Sequence, residues 1–187
     1  LNTKDSIKLL GKALSRFDAI SCREWNGVDL CKEHGYEATK VEDPTLLLTA
    51  EDYASIMSEK LYDNYIFIYS LNIEKPEDIY WEDIKSAYPN HKIVVTPSSG
   101  FIPGREIFGD EVEYRYATPG EWLSLIAHSD LVVTSSFHGI VFSILFNKKF
   151  AFVPLKGKRE ATNNRVLDLL SELDCLSATV ISDSDHE

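Results

Sequence analysis

Apolar and polar positions alternate along the chain with two periods, and the changes from one period to the other predict its elements. Ile7, Leu10, Leu14 and Phe17 recur at helical spacing, which predicts an amphipathic helix over residues 5–16 and a short strand from Phe17 to Cys22. A second helix is expected over 26–34, ended by Gly35, a residue that enters the left-handed region without penalty. Lys40 to Asp43 reads as another short strand, closed by Asp43-Pro44 because the residue before proline is pushed out of helical geometry.

From residue 60 the rhythm becomes regular. Tyr65–Leu71 is a β-rich apolar run, 77–87 a helix, and Lys92–Thr96 a second buried strand that ends in Pro97-Ser-Ser-Gly100. A third strand spans Val112–Tyr116. Thr118-Pro-Gly-Glu121 then has the spacing of a capping box, with Pro119 at the first helical position, so a helix runs from there to His128. Leu131–Thr134 is a strand, and Phe137, Ile140, Val141, Ile144 and Leu145 form the stripe of the next helix. Phe150–Pro154, a helix over 164–173 and a short strand at 179–181 complete the series.

Strands and helices that alternate with short connections predict a doubly wound α/β domain, a mostly parallel sheet with helices on both faces. The chain shows no repeat and no long linker, so residues 1–187 read as a single Rossmann-like domain, with a helix and short-strand segment over 1–50 and the main sheet over 60–182. Such folds bind ligands beyond the carboxyl ends of their strands. The junctions to search are therefore 21–24, 70–72, 96–100, 116–120, 134–139 and 154–165.

Composition narrows the partners. The net charge is −11 over 187 residues, which disfavours nucleic acid and anionic membranes, since both need a basic footprint. Residues 148–165 run against that balance: Lys148, Lys149, Lys156, Lys158, Arg159 and Arg165 face only Glu160, a local +5 suited to an anion. The alternative for this segment is an ordinary solvated loop. Cys22, Cys31 and Cys175 lack zinc spacing and are expected as reduced thiols. No apolar run is long enough to span a bilayer and no signal-peptide pattern opens the chain, so a cytoplasmic protein is expected. The start at Leu1, without Met, suggests a fragment of something longer.

Thr134-Ser-Ser-Phe-His-Gly139 is the most informative junction. It sets three hydroxyls at the end of a buried strand, and the next helix directs its first amides and its positive dipole end at the same space. Ser135 or Ser136 would cap that helix, and Gly139 allows close backbone approach. His138 lies off the apolar stripe in the first turn, where it serves as anion donor or as acid/base; the alternative is a structural histidine. Arg23 follows a strand and either grips a carboxylate or phosphate or pairs with a carboxylate of the chain itself. Arg165 opens the last helix, where the dipole disfavours a cation that no anion compensates. No GxGxxG, Walker loop, HExxH or GxSxG occurs, and no metal-ligand spacing is present, so neither cofactor nor metal is expected.

Together, Arg23 after FDAISC, VEDPTLLL at 41–48, the block from Gly120 to Val153 and NNRVLDLL at 163–170 resemble the polysaccharide pyruvyl transferase family. The resemblance covers about residues 14–173 and is densest in SDLVVTSSFHG. It implies the donor-binding half of a GT-B-type architecture, with the acceptor-binding domain outside this chain. The implied reaction moves a pyruvyl group from phosphoenolpyruvate, a substrate and not a cofactor, to two hydroxyls of a saccharide acceptor in capsule or exopolysaccharide biosynthesis. His138 would be the catalytic acid/base, and Arg23, Ser135, Ser136, Phe137, Gly139, Asn163 and Arg165 would bind substrate. Many members carry Arg where this chain has Ser136. Two other classes remain open at this point: a nucleotide-sugar glycosyltransferase, with a ribose contact near Pro97–Gly100, and a carbohydrate- or partner-binding domain without turnover.

Overall fold

A computed structural model describes residues 4–71, 73, 75–97 and 107–178. The expected strand at 179–181 and most of the Pro97–Gly100 junction lie outside these residues. Contacts divide the chain into two compact units, Leu1–Leu47 and Leu48–Glu187. No helix among the described residues is long and apolar enough to cross a membrane.

The smaller unit holds α1 (Lys4–Leu14), β1 (Ser21–Cys22), α2 (Trp25–Glu33), β2 (Thr39–Lys40) and a 3-10 turn over Pro44–Leu47. β1 and β2 pair in parallel over two positions, Ser21 with Thr39 and Cys22 with Lys40. The strands expected over 17–22 and 40–43 shorten to these pairs because nothing extends the ladder: Phe17 is 65% exposed, and Val41 is exposed beyond its last bond to Cys22. The Cys22 and Cys31 sulfurs stand 4.0 Å apart as free thiols, and burial together with Cys31 pushes the Cys22 thiol up. Asp43 fastens the exit of this unit. Its buried carboxylate accepts the Thr45 amide at 3.0 Å, the Thr45 hydroxyl at 2.8 Å and the Arg23 guanidinium.

The larger unit is built on β3 (Tyr65–Tyr69), whose five residues alternate between two cores. Ile66 and Ile68 point to one, with Ile93, Val95, Val133 and Trp81; Tyr65 and Phe67 point to the other, with Val94, Val132, Leu123, Leu125 and Phe142. Burial on both faces is what a parallel sheet with helices on each side requires. β3 pairs in parallel with β4 (Lys92–Val95) and β6 (Leu131–Thr134), which in turn pair with β5 (Glu113–Tyr114) and β7 (Phe150–Phe152). The order β5-β4-β3-β6-β7 is that of a doubly wound sheet that starts in the middle and grows first one way and then the other.

The helices are α3 (Ala50–Ala54), α4 (Trp81–Ala87), α5 (Pro119–Ala127), α6 (Phe137–Leu145) and α7 (Asn164–Glu172). α5 opens on the expected box, with Thr118 Oγ1 accepting the Glu121 amide and Glu121 accepting the Thr118 amide. The helix expected over 77–87 is two pieces, a 3-10 turn over Pro76–Ile79 and then α4, because Tyr80 between them is left-handed at φ 57°. α3 is too short to show a period, and only the reciprocal Thr49–Asp52 cap announces it. The loop expected after 154 is a 3-10 helix over Gly157–Asn163, held by Asn163.

Gly139 sets how closely α6 approaches β6. A Cβ there would stand 2.5 Å from Thr134 Oγ1 and 3.1 Å from its Cγ2. Thr134 cannot retreat, being fully buried with its hydroxyl donating to the Tyr69 carbonyl and accepting the Ser136 amide.

Two predictions follow from these contacts. Gly139→Ala should lower the free energy of unfolding by about 2 kcal/mol through overpacking, and the loss should shrink in a Thr134→Ala background; equal losses in both backgrounds, measured by urea unfolding, would contradict the contact. For Asp43, burial raises the carboxyl pKa, but the Thr45 amide and hydroxyl and the Arg23 guanidinium outweigh it and hold the group below its ordinary value. Its stabilisation is therefore complete above about pH 4 and is lost as pH falls through the folded-state value. Asp43→Ala should cost about 2 kcal/mol at neutral pH and flatten that acid loss. Hydrogen exchange of the Thr39 and Val41 amides reports it; unchanged exchange between pH 5 and pH 2, or an identical profile in the variant, would refute the assignment.

Candidate functional site

The carboxyl ends of β3, β6 and β7 meet at the reversal of strand order between β3 and β6, where doubly wound sheets leave a crevice. Residues 134–136 spend their hydroxyls on building that junction. Thr134 ties β6 to β3 through the Tyr69 carbonyl. Ser135 Oγ accepts the Leu71 amide at 2.6 Å and donates to the Leu71 carbonyl at 3.3 Å, so the exits of β3 and β6 are fastened across the reversal. Ser136 is the cap of α6, its Oγ accepting the Gly139 amide at 3.3 Å. All three are buried. Thr134 and Ser135 thus both donate and accept within the junction, whereas the Ser136 hydroxyl accepts there and keeps a hydrogen to donate.

Phe137, His138 and Arg165 form a cluster at the starts of α6 and α7. The half-buried His138 ring stands edge-on to Phe137, with centroids 5.5 Å apart. The Arg165 guanidinium lies over the Phe137 ring at 4.8 Å, a cation–π contact worth about 1 kcal/mol. Its Nε is shielded from solvent and finds no hydrogen-bond partner among the described residues. A buried guanidinium nitrogen without an acceptor carries a desolvation cost that a bound oxygen would relieve. The positive end of α6 adds to the attraction for an anion at this cluster.

Asn163 is buried and clamps the loop after β7. Its Oδ1 accepts the Leu155 amide at 2.9 Å and its Nδ2 donates to the Leu155 carbonyl at 2.8 Å. Arg23 lies in the smaller unit, paired with Asp43, while the other expected site residues lie in the larger one. The structure thus brings Phe137, His138 and Arg165 together, and sets Ser135, Ser136 and Gly139 at the adjoining junction.

A cavity of about 350 Å³ opens at the same end of the sheet. Ser135, Leu71 and Ile73 meet Val153, Pro154 and Leu155 in its lining, which also includes Lys75, Asp78, Lys156 and Arg159. Lys156 and Arg159 belong to the basic segment singled out in the sequence. Lys75 carries no sequence signal; it reaches this place because β3 pairs with β6. Among the described residues no group of acidic, histidine or cysteine side chains could hold a metal ion.

No curated protein matches the chain. Solved structures with a similar fold include the glycotransferase of kitacinnamycin, at 14% identity and TM-score 0.40 over 68% of this chain and 32% of that one. A second is Phytolacca americana UGT2 complexed with UDP-2fluoro-glucose and pterostilbene, at 11% identity and TM-score 0.46 over 92% of this chain. The chain spans 32% and 42% of the lengths of these two structures. The family model described as polysaccharide pyruvyl transferase matches residues 1–156, which include the whole junction from Thr134 to Gly139. The chain belongs to the polysaccharide pyruvyl transferase family, a family of transferases.

Proposed function

We propose that this chain is the donor-binding part of an enzyme that transfers a pyruvyl group from phosphoenolpyruvate to a pair of saccharide hydroxyls, in the decoration of a capsule or exopolysaccharide. The observation that carries the reading is the cluster at the start of α6, where Phe137 meets the His138 ring edge-on and carries the Arg165 guanidinium, whose Nε finds no partner among the described residues, over its face. Family membership supports a transferase, and the pyruvyl donor and ketal product belong to the proposal.

The chemistry needs one proton delivered and one anion held. Protonation of the phosphoenolpyruvate methylene makes it a methyl group and leaves cationic character at the neighbouring carbon. One hydroxyl adds there; the second displaces phosphate, and the cyclic ketal closes. Of the two hydroxyl protons, one balances the proton gained by the methyl carbon and the other leaves with phosphate. His138 is the acid and base for this exchange, a role worth about a hundredfold or more in rate. Arg165 holds a carboxylate or phosphate oxygen of the donor, and its guanidinium is kept in place by the Phe137 face.

The test measures phosphate release and ketal formation from phosphoenolpyruvate with saccharides that offer neighbouring hydroxyl pairs, alongside calorimetric binding of phosphoenolpyruvate. His138→Ala should reduce turnover about a hundredfold or more while binding persists. Arg165→Ala should weaken binding about tenfold. Ketal formation at the parent rate in His138→Ala would overturn the catalytic assignment, and absence of phosphoenolpyruvate binding by the parent protein would overturn the donor assignment.

A further inference from the structure

We infer that Cys22 and Cys31 are a thiol pair that a glutathione-type disulfide oxidises to an internal disulfide, and that the new bond clamps β1 to α2. Both residues lie in the smaller unit, so the inference stands whatever reaction the larger unit carries out.

The two sulfurs stand 4.0 Å apart as free thiols, Cys22 at the end of β1 and Cys31 in the last turn of α2. Gly27 precedes Cys31 by four residues and shares its face of the helix. A Cβ on Gly27 would lie 3.2 Å from Cys22 Cβ and 3.3 Å from its Sγ, so this face packs on Cys22, and the absent side chain leaves the sulfur room. Bonded sulfurs are about 2.0 Å apart, a separation the pair reaches when each side chain rotates to bring its sulfur about 1 Å inward. Among the described residues no third metal-binding side chain joins them, which favours a redox pair over a metal site. Cys22 is half-buried and Cys31 buried, so a reagent meets Cys22 first.

The Cys22 thiolate attacks one sulfur of the oxidant; a mixed disulfide forms and one thiolate leaves. Cys31 then loses its proton and attacks the Cys22 sulfur, the mixed bond breaks, and a second thiolate leaves. Two protein thiols are oxidised, one reagent disulfide is reduced, and the two protons end on the leaving thiols. Burial, the Cys31 thiol and the Glu24 carboxylate push the Cys22 thiol above its ordinary value, so the first attack is slow near neutrality and quickens as pH rises. The Cys22 carbonyl accepts the Val41 amide at 2.9 Å. Fixing Cys22 to α2 therefore opposes the local opening that exposes this amide.

Oxidised glutathione added to the folded full chain at mildly alkaline pH tests the pair, with the products located by peptide mass mapping. The parent should lose two hydrogens through a Cys22–Cys31 bond that dithiothreitol reverses, with Cys175 outside that bond. Cys31→Ser should stop at the mixed disulfide on Cys22, and Cys22→Ser should leave the buried Cys31 unreacted. Hydrogen exchange of the Val41 amide should slow about tenfold or more in the oxidised parent, and should not slow in Cys31→Ser that carries the mixed disulfide. A mixed disulfide that persists on Cys22 of the parent, a bond to Cys175 in place of Cys31, or a Cys22–Cys31 bond that forms only in urea would each overturn the inference. Unchanged Val41 exchange once the bond has formed would overturn the clamp.

Discussion

The parallel pairing of β3 with β6 is the constraint on which the rest of the larger unit depends. Four registered pairs, from Ile66–Leu131 to Tyr69–Thr134, bring residues 65 positions apart into line, and both strands are buried on both faces. Because the strands run in parallel, their exits lie at one end of the sheet. Leu71 and Ser135 therefore meet, and everything that follows them, the start of α6 on one side and the turn bearing Lys75 on the other, is brought to the same crevice. A register shift of one residue would turn Val132 and Val133 to the wrong cores and take Thr134 off the Tyr69 carbonyl. The hydroxyls at this junction first serve the fold; they fix the backbone from which His138 and Phe137 project.

Electrostatics divide the molecule in a corresponding way. The net charge of −11 is a property of the general surface, which salt screens within about 10 Å. The crevice end carries Lys75, Lys156 and Arg159 at the cavity and Arg165 over Phe137. An anion close to the crevice meets these cations at short range.

Much of the fold was legible in the sequence because two-sided burial leaves a clear mark. Tyr65–Tyr69, Lys92–Val95 and Leu131–Thr134 are apolar runs that only a covered sheet explains, and the Thr118–Glu121 box announced α5. What failed to show was decided by tertiary context. Phe17–Ile20 has strand character but joins no ladder beyond the Ile20 carbonyl, which accepts the Thr39 amide, and Tyr80 breaks a helical stretch through a left-handed backbone that no propensity for tyrosine suggests. In the candidate site, the spacing puts His138 and Gly139 just after a buried strand, and the structure sets both in the first turn of α6; of the basic segment 148–165, Lys156 and Arg159 line the cavity. The roles of individual hydroxyls were not legible, since Ser135 bonds to Leu71 across 64 positions. Asn163 and Arg23 are polar residues at junctions, and neither sequence position reveals that the Asn163 amide clamps Leu155 or that Arg23 pairs with Asp43.

The claim at the centre is that ligand chemistry occurs at the carboxyl ends of β3, β6 and β7. Backbone amide chemical shifts recorded while phosphoenolpyruvate is added test it most directly. The account predicts saturable shifts at Leu71, Ser135, His138 and Leu155, with His91 and Lys92 at the amino end of β4 unmoved. Shifts concentrated at His91 and Lys92, or no saturable shift at the four crevice amides, would contradict it.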